Sequence, residues 1–513
     1  MPLEGAARVA SELASRGYNA DREAVTLLAN APDTEAAIER AVEGAPDDAL
    51  KVSTEHVRET LEASQSVGST PSDPDPTDGD LDTPAADPNP PVSTGTEPAN
   101  PPDSGGEAPV ETGGSAAVET SGDVASTGTG EYRDFVATFR DRYRKLSAHL
   151  RGRVNHRPAD TIADMSPGSD AALVGLVSDI RSTAGGHWLV ELEDTTGTFP
   201  CLVMKDREFA SDVRELLHDE VVAVEGTLAD DGGILFVDDL YFPDIPRTHT
   251  PSTADRPVSA ALVSDIHVGS QEFRADAWDR FADWLHTEEA EDVEYLLIGG
   301  DMVEGVGVYP DQDEELDIVD IYDQYERFSE HLKDVPGDME VVMIPGNHDA
   351  VRLAEPQPAF DEELRSIMSA HDAEIAANPA TVTVEGVTVL MYHGVSLDEL
   401  IAELPDEAAS YDRPHEAMYQ LLKKRHVAPQ YGGRTRLAPE EEDHLVIEEV
   451  PDIFHAGHVH KLGYGKYHGV LTVNSACWQS QTAFQESVNL DPDVGYAPIV
   501  DLQTLDLTVR KFV

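Results

Sequence analysis

The sequence predicts an α/β (α+β) sandwich of two sheets flanked by helices, preceded by an all-β five-stranded barrel and a small N-terminal helical domain. Three observations carry that expectation. Apolar runs that read as buried strands, AALV at 260–263, YLLI at 295–298, VVMI at 341–344 and VTVLM at 387–391, alternate with helical patterns through the C-terminal half. Five shorter strand-like runs separated by Gly-rich turns fill residues 160–246. A stretch of Pro, Gly, Ser, Thr, Asp and Glu separates the N-terminal helical pattern from the rest. At 513 residues the chain is too long for a single core, so several domains are expected.

Taken in order, residues 1–65 place Ala6, Ala7, Val9, Ala10 and Leu13 at helical spacing, with Gly17 as a stop. Asp21 and Asp33 are candidate caps, and Val57 and Leu61 sit on a last helix. Residues 66–130 have almost no large apolar side chains to offset their ordering entropy, and read as a disordered acidic tether. Residues 131–155 form a basic helix whose Phe135, Phe139, Tyr143 and Leu146 share one face, which is expected to pack on the protein. Within 160–246, strands at 172–177, 187–192, 199–203, 221–226 and 234–237, with a helix near 208–217 between the third and fourth, match an oligonucleotide-binding (OB) barrel. Residues 255–513 alternate strands and helices and end in strands at 462–467, 470–474, 499–502 and 507–512. The acidic insertion at 311–320 reads as a lid or a solvated loop.

Five motifs stand out in the last domain, four of them directly after a predicted strand. They are Asp265-Ile266-His267, Gly300-Asp301, Gly346-Asn347-His348-Asp349, Tyr392-His393-Gly394 and Gly457-His458-Val459-His460. Carboxylate, amide and imidazole ligands on tight turns at strand ends are how an α/β fold assembles a metal site. The candidate ligands are Asp265, His267, Asp301, Asn347, His393, His458 and His460. Seven residues serve two ions only if one is shared, and a carboxylate such as Asp301 has the two oxygens for it. The mixed nitrogen and oxygen set suits manganese first, with iron, zinc or magnesium as alternatives. His348 is the candidate catalytic group, as general acid or stabiliser of phosphorane charge, with Asp349 to orient it. His286, His331, His371, His415 and His444 fall in helical or polar contexts and are expected to be solvated, whereas His455 and His468 are second-rank neighbours of the site.

The motif set resembles the calcineurin-like metallophosphoesterase superfamily. Carried over by residue, the likeness implies one metal held by Asp265, His267, Asp301 and His460. It implies the other held by Asp301, Asn347, His393 and His458, with His348 as the catalytic histidine. The second motif continues Met302-Val303-Glu304-Gly305 without the arginine common in phosphatase members, which argues against a protein phosphatase. The segments at 264–270, 299–310 and 135–146, and the order of barrel then phosphoesterase, look like the small subunits of archaeal family D DNA polymerases. That resemblance implies a 3′–5′ proofreading exonuclease acting on DNA, docked on a large polymerising subunit, with the barrel used for subunit contact. A stand-alone phosphodiesterase and an inactive scaffold are the alternatives. The barrel, basic helix and tether argue against the first, and the complete ligand set against the second.

Composition bounds the setting. With 99 acidic and 36 basic residues the formal net charge is −63, and lysine is scarce. Such a surface repels itself in dilute salt and is tolerated where salt screens it, as in an extreme halophile. Phosphate binding asks for a basic face. Two basic runs are the candidate DNA contacts: Arg142, Arg144 and Lys145 in the first, and Lys423, Lys424, Arg425 and Arg434 in the second. Two cysteines, no signal-like N-terminus and no apolar run of about 18 residues point to a cytoplasmic protein with no membrane association.

Overall fold

The computed structural model describes residues 130–513 except 310–311 and 370–372, residues 118–121 and 124, and parts of 9–61. Most of the expected first helix, the caps Asp21 and Asp33, most of 66–130 and His371 lie outside the described residues. Near the N-terminus, helices Arg22–Ala29 and Thr34–Glu43 accompany two short parallel strands, β1 (Asn19–Ala20) and β2 (Lys51–Val52). Leu13, Leu28, Ile38 and Val57 are fully buried there, which gives this unit a core of its own.

One part of the expected tether is ordered. Glu119–Ser121 forms β3, an edge strand of the main domain, and Val124 is buried. Thr120 supplies β-propensity, and Glu119–Ser121 a pairing with β13, that composition across 66–130 averages away.

Helix Tyr132–Arg151 follows. Its Tyr143, Leu146 and Leu150 pack on Ala172, Val174, Val221 and Ala223 of the barrel, as the one-sided apolar pattern predicts. The barrel strands are β4 (Asp170–Ser182), β5 (Trp188–Glu193), β6 (Thr198–Val203), β7 (Val221–Leu228) and β8 (Leu235–Tyr241). They close in the order β4-β5-β6-β8-β7, with a 3₁₀ helix, Glu208–Glu215, between β6 and β7. Phe199, Cys201 and Val203 alternate inward along β6, the period-two pattern that lets one face fill the barrel.

The C-terminal domain is a mixed α/β sandwich. Its strands run β9 (Ser259–Val263), β10 (Val293–Ile298), β11 (Glu340–Met343), β12 (Glu374–Ile375), β13 (Ala380–Val384), β14 (Val387–Met391), β15 (Ile453–Ala456), β16 (Leu462–Tyr467), β17 (Val470–Ser475), β18 (Tyr496–Asp501) and β19 (Asp506–Lys511). One sheet has the order β12-β11-β10-β9-β18-β19, the other β16-β17-β15-β14-β13-β3. Leu262, Leu297 and Val342 of the first meet Val389, Met391, Ile453 and Val473 of the second in a shared core. Helices Ala275–Leu285, Ile321–Leu332 and Glu362–Ile367 cover the outer face of the first sheet, and Ser396–Glu403 and Pro414–Lys424 that of the second. Buried on both faces, these strands read as continuous apolar runs. No helix among the described residues is long and apolar enough to cross a membrane.

Candidate metal centre

Strands β9, β10 and β11 are parallel neighbours, and so are β14 and β15, so their C-terminal ends emerge together. The loops there carry Asp265 and His267, Asp301, Asn347 and His348, His393, and His458 and His460. Asp265, His267, Asp301, His458 and His460 hold left-handed backbone, with φ of 52°, 57°, 52°, 71° and 53°. Each such residue costs roughly 1–2 kcal/mol, a strain kept only where the surroundings over-determine it. Close approach explains the glycines beside them. A Cβ on Gly346 would stand 2.2 Å from Asp301 Oδ1, and one on Gly457 would stand 2.3 Å from Asp265 Oδ2.

The side chains converge in two sets that share Asp301. His267 Nε2 lies 3.0 Å from His460 Nε2, and His460 Nε2 lies 3.4 Å from Asp265 Oδ1. Asp301 Oδ2 stands 3.8 Å from His267 Nε2 and 3.2 Å from His393 Nε2, which in turn lies 3.1 Å from Asn347 Oδ1. His458 joins Asp301 and His393 in a second compact group. One carboxylate oxygen therefore stands between both sets. These groups could hold cations: the lone pairs of imidazoles, carboxylates and an amide face one another.

Further contacts set which imidazole nitrogen is free. His393 Nδ1 donates to Gly299 O at 2.9 Å, and His348 Nδ1 donates to Glu304 O at 2.8 Å, because a carbonyl only accepts. Glu304 Oε2 holds His267 Nδ1 at 2.9 Å, and the Gln485 side-chain amide meets His460 Nδ1 at 2.9 Å. In His267, His348 and His393 this leaves Nε2 toward the cleft, the arrangement by which outer contacts orient metal ligands, whereas at His460 the Gln485 amide donates and Nδ1 accepts. Burial alone would push the His393 imidazole pKa down, yet the Asp301 carboxylate beside it carries it up to about 10. Burial would raise Glu304, but His267 brings it down to about 2. The centre thus stabilises positive charge.

Glu304, Gln485 and Asp398 are participants that the motifs did not single out. Asp398 Oδ2 lies 3.3 Å from His458 Nε2, and Tyr411 donates to its other oxygen at 2.9 Å. Glu304 had a signal, since it occupies a place within the second motif's continuation. Asp398 and Gln485 had none.

Several expectations need correction. Asp349 does not orient His348: its carboxylate accepts from Gly346 N at 2.8 Å and Tyr325 Oη at 3.0 Å, bracing the loop instead. Burial, with Asp301 nearby, raises its pKa to about 7. Arg142, Lys145, Lys424 and Arg425 are buried and cannot reach DNA. Arg142 pairs with Asp443 at 2.7 Å, Lys145 with Asp141 at 3.0 Å, and Lys424 with Glu220 at 2.8 Å, while Arg425 donates to Ile447 O. Lys423 is bound to Glu215 at 2.8 Å, and the exposed Arg144 is paired with Asp141. Of these basic residues only Arg434 lines the metal cleft. His331 is buried, packed edge-on to Phe273, not solvated. The acidic insertion is neither lid nor loose loop, because buried Gln312 donates to Glu304 and Leu316 is buried.

Residues 260–462 match the family model for the B subunit of DNA polymerases alpha and epsilon. The whole chain is 67% identical over 516 residues to all of the DNA polymerase II small subunit of Halobacterium salinarum. It is 45% identical to that of Archaeoglobus fulgidus, over 72% of this chain and 75% of that one. With that of Pyrococcus furiosus the identity is 40%, over 72% and 62%. The chain belongs to the family of DNA polymerase II small subunits.

Proposed function

We propose that this small subunit is a two-metal 3′–5′ exonuclease that proofreads for a larger polymerising subunit. The carrying observation is the single Asp301 oxygen between two imidazole-rich sets, with His348 beside them in an open cleft. The four-layer sandwich with ligands at C-terminal strand ends is what a calcineurin-like metallophosphoesterase requires. Two divalent ions, manganese first, would be held by Asp265, His267, Asp301 and His460 and by Asp301, Asn347, His393 and His458. When bound they supply positive charge to a phosphodiester and lower the pKa of an attacking water.

The chain's own residues do the rest. Glu304 O fixes the Nδ1 proton of His348, so Nε2 is the atom available to carry a proton or charge to the leaving oxygen. Arg434 lines the cleft near Asp398 and offers a guanidinium for a neighbouring phosphate. With a net charge of −63 the chain grips DNA weakly by itself, and the large subunit supplies most of the hold. Buried, unpaired Cys201 and Cys477 accord with a reducing cytoplasm. The test is digestion of a 3′-mismatched primer with Mn²⁺ in molar KCl, with and without the large subunit. Loss of nucleotides from the 3′ end, abolished by chelator, is expected. Equal digestion in excess chelator, or none at all, overturns the reading.

A further inference from the structure

The lip of the metal cleft carries an aromatic feature that cation binding does not require. The described residues expose ten large apolar side chains, and three of them, Phe484 (56% exposed), Val488 (57%) and Tyr411 (36%), line this one cleft. Phe484 stacks on Tyr309 with ring centroids 5.9 Å apart and planes 25° from parallel. Tyr309 in turn stands 6.4 Å from the His348 ring, so an aromatic row leads from the candidate catalytic group to the lip. The row is tied down at both ends. Tyr309 Oη lies 3.2 Å from a Glu304 oxygen and 3.1 Å from a Glu315 oxygen, the two acceptors sharing its one proton. Phe484 belongs to helix Ala483–Ser487, whose Thr482/Gln485 capping box fixes its start and whose Gln485 contacts His460. The platform is therefore registered to a ligand of the centre. The cleft, 540 Å³, is of the size that small-ligand sites occupy.

We propose that Phe484, backed by Tyr309, is a nucleobase platform that stacks the unpaired base at the 3′ terminus of DNA, with Arg434 of the same cleft available to its phosphate. The inference rests on the nuclease reading and names the substrate group that reading needs. Every base has a π-face, so stacking accepts any terminal nucleotide, as an enzyme that removes whichever base was misplaced must. A 3′-terminal base that is still paired must be unpaired and unstacked before it can enter the cleft, so the platform selects a frayed end. A phosphate alone would gain nothing from an exposed phenyl ring.

The test uses the full chain in Mn²⁺ and molar KCl. The ligand is a single strand with 2-aminopurine at its 3′ end and a phosphorothioate at the last linkage to hold off cleavage. Wild type quenches the fluorophore. Phe484→Ala binds roughly 5- to 150-fold more weakly with little quenching, and Phe484→Trp restores both. On the same strand ending in an abasic residue, wild type and Phe484→Ala bind alike. Equal quenching and affinity in wild type and Phe484→Ala overturns the platform and leaves the lip to a protein contact. So does failure of wild type to quench. The two readings separate on the unmodified strand. A wild type that quenches but never digests removes the nuclease and keeps the platform, whereas Phe484→Ala that digests and quenches normally does the reverse.

Discussion

Two clusters of buried charge among the described residues behave differently. At the seam joining helix Tyr132–Arg151, the barrel and the sandwich, carboxylates meet cations from the chain itself: Asp443 with Arg142, Asp141 with Lys145, and Glu220 with Lys424. His426 closes the first pair by donating from Nε2 to Asp443 at 3.1 Å while its Nδ1 accepts from Ala428 N, so it is neutral. At the cleft, Asp265, Asp301 and Glu304 are equally buried, yet among the described residues no lysine or arginine pairs with them, only imidazoles and neutral donors, and backbone strain is concentrated there. A buried charge needs a partner. The seam supplies full cations from within and so is a joint. The cleft has Arg434 and Lys461 only on its wall, unpaired with these three carboxylates, and so is a candidate site.

Breaking each cluster should give different phenotypes. Asp301→Ala has the largest effect, because it removes the group common to both sets: both ions are lost by mass spectrometry and nuclease activity with them, while the fold persists by circular dichroism. Arg142→Ala leaves the Asp443 charge buried with only neutral donors around it, so thermal melting in molar KCl should show a loss of roughly 3–5 kcal/mol, with metal content unchanged. His348→Ala removes no ligand, so both ions remain while the rate falls roughly 10²–10³-fold in single-turnover assays. If it loses both ions, His348 is a ligand and its assigned role is wrong.

The smallest expected effect is one of pH at the seam. Burial first, and Arg142 next, bring the His426 pKa down from 6.5 to about 4. The folded state prefers the neutral ring, so this contribution is complete above pH 6.5 and fades as pH falls toward 4. Melting between pH 7 and 4.5 should lose on the order of 2 kcal/mol from this group. His426→Gln should flatten that slope, and an unchanged slope would place the titration elsewhere.

The contrast also marks where sequence stops being legible. The centre was readable because its residues are local to strand ends: an apolar run followed by Gly-Asp or Gly-Asn-His-Asp reports its own context. The barrel was readable for the same reason, from five short alternating runs in order. Basic residues carried no such context. Arg142 and Asp443 are 301 positions apart, so nothing local could show that the supposed DNA-binding run was sealing an internal joint. Separation along the chain likewise hid the pairing of Glu119–Ser121 with β13, and the reach of Asp398 to His458. His348 does lie at the cleft, but the partner expected for it was mistaken, since a backbone carbonyl such as Glu304 O has no residue signature.

Counting metal tests the contrast most directly. Chelator-stripped protein is re-equilibrated with Mn²⁺ in molar KCl, freed of excess by gel filtration, and its metal measured by mass spectrometry. Two ions per chain are predicted in wild type and in Arg142→Ala, and fewer than one in Asp301→Ala. Wild type that retains no Mn²⁺, or Asp301→Ala that retains two, would contradict the assignment of the cleft as a two-metal centre.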